Sequence, residues 1–280
     1  MVDVSARSSV IISVFSTTPG IGKTVVAINL AAGFAREGYS VCLVDLDLQF
    51  GDVLNYLQLV SPQTIAGAQR AMLDDPENFH VRNFLIEYGH AGLKFSIMPA
   101  PVYVFDAYQM DVQIIEKMIS QLNYFEFVIL DLNSMFSALN LAMMDMSTVV
   151  NYLGVIDFLP ALKNFKIGYD TLLRFDYEES KIRIVENRAD SQKLIDGHDV
   201  ERLLGEKFYH RLPNDFQSVR KSINMGQPLM FAAPESKLTR SFDELVAKYT
   251  NKKISNVESE SNAGFFDKFW RWTGNLFGKR

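Results

Sequence analysis

Residues 16–24 read Ser16-Thr17-Thr18-Pro19-Gly20-Ile21-Gly22-Lys23-Thr24 (STTPGIGKT), between the apolar run Val10–Phe15 and a helical pattern, Lys23–Glu37, that stops at Gly38. A tight loop between a strand and a helix N-terminus aims successive backbone N–H groups at one spot, where the positive end of the helix dipole also favours an anion. Phosphate fits that geometry, with Lys23 as a point charge on the β- and γ-phosphates of ATP and the Thr24 hydroxyl as a ligand of Mg²⁺. The stretch departs from the pattern G-x-x-x-x-G-K-S/T, because Thr17 stands where the first glycine belongs. Its place after the first strand and before a long helix favours the phosphate reading over an incidental Gly-Lys-Thr. Pro19 has no N–H to donate, so the predicted cradle runs through Gly20, Ile21, Gly22, Lys23, Thr24 and Val25.

Outward from this loop, short apolar runs alternate with longer segments of helical period, as expected of an α/β domain of βα units around a mostly parallel sheet. The runs predict strands at Val10–Phe15, Val41–Asp45, Lys94–Met98, Phe127–Asp131, Thr148–Leu153 and Lys181–Glu186. The periodic segments predict helices at Lys23–Glu37, Gln109–Leu122, Leu159–Phe175, Asp215–Met225 and Ser236–Tyr249, with further short helices within 52–90. One domain over residues 1–250 is expected, then a polar linker over 251–264 and a terminal amphipathic segment over 265–280.

Carboxylates fall where such a sheet binds ligands, at the carboxyl ends of its strands. The second strand runs into VDLDLQFGD, placing Asp45, Asp47 and Asp52 at that edge. A carboxylate there can orient an attacking water or hold magnesium; turn chemistry is the competing role, above all for Asp52. The run FVILD (Phe127–Asp131) has the form of a buried strand ending in the Walker B carboxylate that supports Mg²⁺, which makes Asp131 a metal candidate.

Composition limits the alternatives. The 280 residues carry a formal charge of −5, so no global basic field singles out nucleic acid as a partner. The single cysteine, Cys42, lies inside an apolar run and reads as a buried strand thiol. The N-terminal apolar run is too short for a signal peptide, and no stretch is long enough to span a bilayer, so a cytoplasmic protein with at most peripheral membrane contact is expected. His80, His90, His198 and His210 show no metal-site spacing, and Met143, Met144 and Met146 read as core filler.

The C-terminal stretch FFDKFWRWTGNLFGKR is unlike an ordinary polar tail. On a helical projection Phe265, Phe266, Phe269, Trp270, Trp272, Leu276 and Phe277 share an arc of roughly 160°, while Lys268, Arg271 and Lys279 take the other side. Aromatics opposite cations are the composition of an in-plane anchor on an anionic membrane surface; docking onto this domain or a partner groove is the competing reading.

Together these residues resemble the MinD/ParA family of P-loop ATPases over about residues 9–250, with the CpaE/TadZ branch, associated with positioning of tight-adherence pili, as the best fit. VDLDLQFGDV (Val44–Val53) is similar to that branch's hallmark and VENR (Val185–Arg188) to the family's adenine-side motif. LPND (Leu212–Asp215) and NMGQPL (Asn224–Leu229) resemble late segments of the family. The resemblance implies Asp47 as the residue positioning the hydrolytic water and sharing in the metal, and Asp131 as the Walker B ligand. It places Asn187, with Arg188 beside it, at adenine. It also implies an ATP-bound homodimer and a C-terminal membrane-targeting helix serving a pilus or secretion apparatus. Division-site or flagellar placement, a non-hydrolysing scaffold and a DNA-binding partition ATPase are the alternatives. The family's signature lysine is replaced by Thr18, the glycine after it by Pro19, and the proline after Walker B by Asn133. Loss of a charge-neutralising cation predicts slow hydrolysis.

Overall fold

The computed structural model describes residues 9–191 and 196–250. In chain order the elements are β1 (Val10–Phe15), α1 (Lys23–Arg36), β2 (Val41–Leu46), α2 (Val53–Leu57), α3 (Ile65–Asp74), β3 (Ile86–His90), β4 (Leu93–Met98), α4 (Val104–Tyr108), α5 (Val112–Ser120) and β5 (Phe127–Leu132). They continue with α6 (Ala138–Met146), β6 (Val149–Gly154), α7 (Leu159–Arg174), β7 (Ile182–Glu186), α8 (Gly197–Leu204), β8 (His210–Arg211), α9 (Phe216–Met225), α10 (Leu229–Ala232) and α11 (Lys237–Thr250). The strands form one eight-stranded sheet in the order β3-β4-β2-β5-β1-β6-β7-β8, parallel except for the antiparallel edge pair β3·β4. Strand β1 therefore lies inside the sheet, between β5 and β6, and the phosphate-loop candidate leaves its carboxyl end.

Alternation along each strand divides the core in two. Ile12, Val14, Leu43 and Ile129 face α1, α2, α10 and α11, whereas Phe15, Cys42, Val44 and Leu130 face α3, α5, α6, α7 and α8. Both faces of the central strands are covered, which is why β2, β5 and β6 are buried throughout and read as continuous apolar runs. This single α/β domain matches the predicted fold class. Cys42 is fully buried, Met143 and Met144 fill the second core, and Met146 packs against it.

The predicted helix Gln109–Leu122 requires correction. Asp111 Oδ1 accepts from the amides of Gln113 (2.8 Å) and Ile114 (3.1 Å), so the helix starts only at Val112, and Gln109 is the C-cap of the separate α4. Strand β3 and helix α6 were not anticipated. The first is an edge strand interrupted by Glu87 and Gly89; the second is apolar almost all round and shows no clear period. The late segment NMGQPL is a structural joint: Gly226 ends α9 at φ 63°, and the Leu229 amide donates to Asn29 Oδ1 of α1 (2.8 Å). Among the described residues no helix is long and apolar enough to cross a membrane.

Candidate functional site

The loop between β1 and α1 holds its shape through residues on either side of it. Gly20 and Gly22 have φ of 71° and 98°, a region that side chains other than glycine's rarely adopt. Gly22 occupies the N-cap of α1 and no side chain caps that helix, so the first-turn amides at Lys23, Thr24 and Val25 are left for an anion. The loop's carbonyls are held from outside. Asn187 Nδ2 donates to Ile21 O (2.6 Å), and the Arg188 guanidinium donates to Gly20 O (3.0 Å), with Arg188 itself at φ 57°. On the other flank Thr17 Oγ1 donates to Asn164 O of α7 (2.8 Å) and lies 3.0 Å from the Tyr152 hydroxyl. The threonine that replaces the expected first glycine thus anchors the loop to a neighbouring helix. The Thr18 amide donates to Ser16 Oγ (3.0 Å), in agreement with a cradle that begins at Gly20.

Strand parity puts two carboxylates against the beginning of α1. Asp45 of β2 and Asp131 of β5 are register partners, share the parity of the residues facing α1, and are each 1% exposed. Asp45 lies within the strand and not on the loop after it. Its Oδ2 accepts from the Val53 amide (3.1 Å) and its Oδ1 from the Asp47 amide (3.3 Å), closing the 47–53 turn over the strand end. Gly51 makes that closure possible: a Cβ there would sit 2.6 Å from Asp45 Oδ2 and 2.5 Å from Ala100 Cβ. Burial, then the neighbouring Asp131 charge, pushes the Asp45 carboxyl well above the usual carboxylate range.

Asp131 differs, because both of its oxygens are buried without a hydrogen-bond partner. Burial raises its pKa to about 7, opposed by the nearby Thr24 hydroxyl, which is not in hydrogen-bonding geometry, and by the Lys23 charge. A buried carboxylate with unused acceptors, beside a hydroxyl and next to an anion cradle, has the chemistry of a hard-cation ligand. Lys23 is half-buried and donates to Ser134 Oγ (2.7 Å). Burial lowers the Lys23 pKa, while the charges of Asp131 and Asp47 raise it. Asp47, half-buried at the end of β2, thus acts on both Lys23 and Asp131.

The structure therefore gathers Gly20–Val25, Asp47 and Asp131 at one sheet edge, with Asn187 and Arg188 bracing the loop from its outer side. Asp52 is exposed at the N-cap of α2, where its side chain makes no capping bond and accepts from Asn55 Nδ2 (3.1 Å). The residues Phe265, Phe266, Phe269, Trp270, Trp272, Leu276 and Phe277 lie outside the described residues. Two contributors were missed in the sequence: Ser134, which holds Lys23, and Asn140, whose Nδ2 donates to Asn133 Oδ1 (2.9 Å) and Met135 O (2.7 Å) and so shapes the turn carrying Ser134. Asn133, which stands where the resembled family has a proline, is the acceptor that makes this bracing possible. His210 is buried with Nε2 against Ser241 (2.8 Å to Oγ), and burial takes its pKa down to about 4. No cluster of metal-binding side chains of three or more occurs among the described residues.

Residues 12–229 match the family model described as the CobQ/CobB/MinD/ParA nucleotide binding domain. This chain belongs to that family. A MinD/ParA-type domain accounts for the glycine loop, the lysine behind it and the carboxylate at the end of β5. Similar solved structures agree on the fold. A ParA family ATPase from Chlorobium tepidum TLS has a TM-score of 0.76 at 20% identity, covering 85% of this chain and 98% of that one. The septum site-determining protein MinD complexed with Mg-ADP, from Pyrococcus horikoshii OT3, has a TM-score of 0.74 at 20% identity, covering 88% and 100%. A chain of the MinC:MinD cell division protein complex of Aquifex aeolicus has a TM-score of 0.71 at 14% identity, covering 90% and 100%. A comparison with curated proteins gives no match.

Proposed function

We propose that this MinD/ParA-type domain binds ATP with Mg²⁺, hydrolyses it slowly, and acts as a nucleotide-switched positioning protein on the cytoplasmic face of the cell membrane. The observation that carries the nucleotide part is the orphaned carboxylate of Asp131 next to Thr24 and Lys23, under an uncapped glycine loop. The amides of Gly20–Val25 and the Lys23 ammonium take up the phosphates, and the Thr24 hydroxyl and Asp131 hold the metal. Bound Mg²⁺ supplies neutralisation of charge on the phosphate oxygens. Asp47 accepts a hydrogen bond from the attacking water and orients it. Asn187 and Arg188 keep the loop in register from the adenine side.

Thr18 stands where the resembled family carries a catalytic lysine, so turnover by the isolated protein is expected well below about 1 per second. A non-hydrolysing scaffold is the second reading, favoured by the neutral residues Thr18 and Pro19 at the two signature positions. The CpaE/TadZ-like stretch Val44–Val53 supports placement of a pilus or secretion apparatus as the task. An ATP-bound homodimer would present two aromatic tails to an anionic membrane, and their avidity makes attachment depend on nucleotide. That the Aquifex neighbour is seen in complex with MinC supports a protein partner on this fold.

Co-sedimentation with anionic liposomes tests the whole reading, with ATP against ADP and the full chain against one ending at Ala263. Binding that needs both ATP and the tail supports it. Binding indifferent to nucleotide leaves the scaffold, and absence of binding removes the membrane role.

A further inference from the structure

Beside the nucleotide edge lies an aromatic face that the fold does not use. Within seven residues, Val102, Tyr103, Val104, Phe105 and Tyr108 are all exposed large apolar side chains, with Tyr103 and Phe105 at 71% and Tyr108 at 75%. Helix α4 has no buried residue at all. Phe50, 72% exposed, extends the patch from the 47–53 turn, and a groove of about 180 Å³ lined by Leu48, Gln49, Ala107 and Met110 joins the two segments. Scattered exposed apolar residues are ordinary, but a contiguous set of this kind marks a surface with an occupant.

Charge distinguishes this face from the other apolar groove. Residues 47–55 and 102–112 carry four carboxylates, Asp47, Asp52, Asp106 and Asp111, and no lysine or arginine; Arg70 of α3 pairs with Asp106 (3.3 Å). The groove on α7 and α8, lined by Leu159, Ile167 and Leu203, is flanked by Lys163 and by Lys166, which pairs with Asp170 (2.5 Å). The C-terminal segment has an aromatic stripe and four cations, Lys268, Arg271, Lys279 and Arg280, against Asp267. It complements the α4 face, whose 47–55 and 102–112 segments carry no cation, and meets the Lys163 charge at the α7 groove.

We propose that, away from a membrane, residues 265–280 dock on the α4 face of their own chain. The stripe of Phe265, Phe269, Trp270 and Trp272 covers Tyr103, Phe105, Tyr108 and the adjoining groove, with the cations towards the carboxylates. Reach is sufficient: residues 251–264 extend at most about 50 Å, and a domain of this size has a radius of gyration of about 18 Å. The tether holds the segment at about millimolar effective concentration, so even a weak apolar contact is mostly formed. Docking also bears on the site, since Asn133, next to the Ser134 that holds Lys23, lines the same groove. A covered α4 face keeps the aromatic stripe from lipid and a second copy from this edge, a self-inhibited state. The inference uses the amphipathic pattern of the tail and stands apart from the ATP-dependent membrane reading.

Trp270 and Trp272 are the chain's only tryptophans, so intrinsic fluorescence reports on the tail alone. In lipid-free buffer the full-length protein should show blue-shifted emission, and acrylamide quenching about threefold weaker than for a peptide of residues 265–280. The double variant F105D/Y108D, at exposed positions outside the nucleotide site, should move both towards the peptide's values, whereas I167D/L203D should leave them unchanged. Circular dichroism of the variants checks that they fold, and a charge-neutral F105S/Y108S pair repeats the test should the first fail to. Peptide-like emission in the full-length protein overturns the proposal. So does protection that the α4 variants leave intact or that the α7 variants abolish, and so does protection lost on dilution, which assigns the cover to a second copy. No lipid is present, so failure here is distinct from failure of the liposome test.

Discussion

Two carboxylates sit side by side at the carboxyl edge of the sheet, equally buried, and do different work. Asp45 has its own chain as partner: the amides of Asp47 and Val53 point at it and Gly51 lets the turn close. Asp131, its register partner, has none. Burial alone therefore does not distinguish a structural acid from a ligand-receiving one; the supply of backbone donors does. One acid stabilises a turn, and the other is kept unsatisfied at the expense of the nucleotide-free fold.

The largest effect is expected from Asp131→Asn. Removing the charge should weaken Mg²⁺-dependent ATP binding by about 100-fold, measured by calorimetry with and without the metal. The same change should stabilise the nucleotide-free protein in chelator. Because the folded pKa of Asp131 is raised to about 7, above an unfolded value near 4, the folded state holds a proton that the unfolded state has lost between those limits. Stability contributed by that proton is present below pH 4, falls as pH rises towards 7 and stays lost above it, by up to roughly 4 kcal/mol. Urea titrations at pH 5 and pH 8 should show the asparagine variant gaining over the parent at both, and by more at the higher pH.

Asp45→Ala reverses the pattern. Two buried amides lose their acceptor, so chemical denaturation should reveal a loss of about 3 kcal/mol, with a smaller change in metal-dependent ATP affinity than Asp131→Asn causes. An Asp45 variant that lost metal dependence while keeping its stability would erase the distinction. Gly51→Ala approaches the same turn from the other side, through a Cβ 2.6 Å from Asp45 Oδ2. A loss of about 2 kcal/mol in the same assay is expected from the forced displacement. Smallest is Ser134→Ala, which removes the acceptor of Lys23: ATP affinity should fall only a few-fold, about 1 kcal/mol, because phosphate supplies Lys23 with a stronger partner.

Legibility in the sequence follows the range of the forces involved. The Lys23 helix, the buried strands and the glycine loop are set by neighbours in the chain, and their periodicity and spacing were readable. Helix α5 was misplaced by a few residues because Asp111, a side-chain cap, overrides an apolar pattern that continues on both sides of it. Ser134 and Asn140 left no local signal, since each is defined by a partner: Ser134 by Lys23, more than a hundred residues away, and Asn140 by the Asn133–Met135 turn that its amide braces. Thr17 looked like a defect in a motif and turned out to be a tie to α7.

The apolar strand runs and the order of loop, helix and carboxylates were written in the sequence, because strands buried on both faces are apolar along their whole length and helix-terminus electrostatics act over a few residues. That Asp45 would be satisfied and Asp131 left open was decided only when β2 and β5 came into register and the 47–53 turn folded back. Hydrogen bonds form between atoms that tertiary packing brings within about 3 Å, and no spacing along the chain encodes which buried acid receives them.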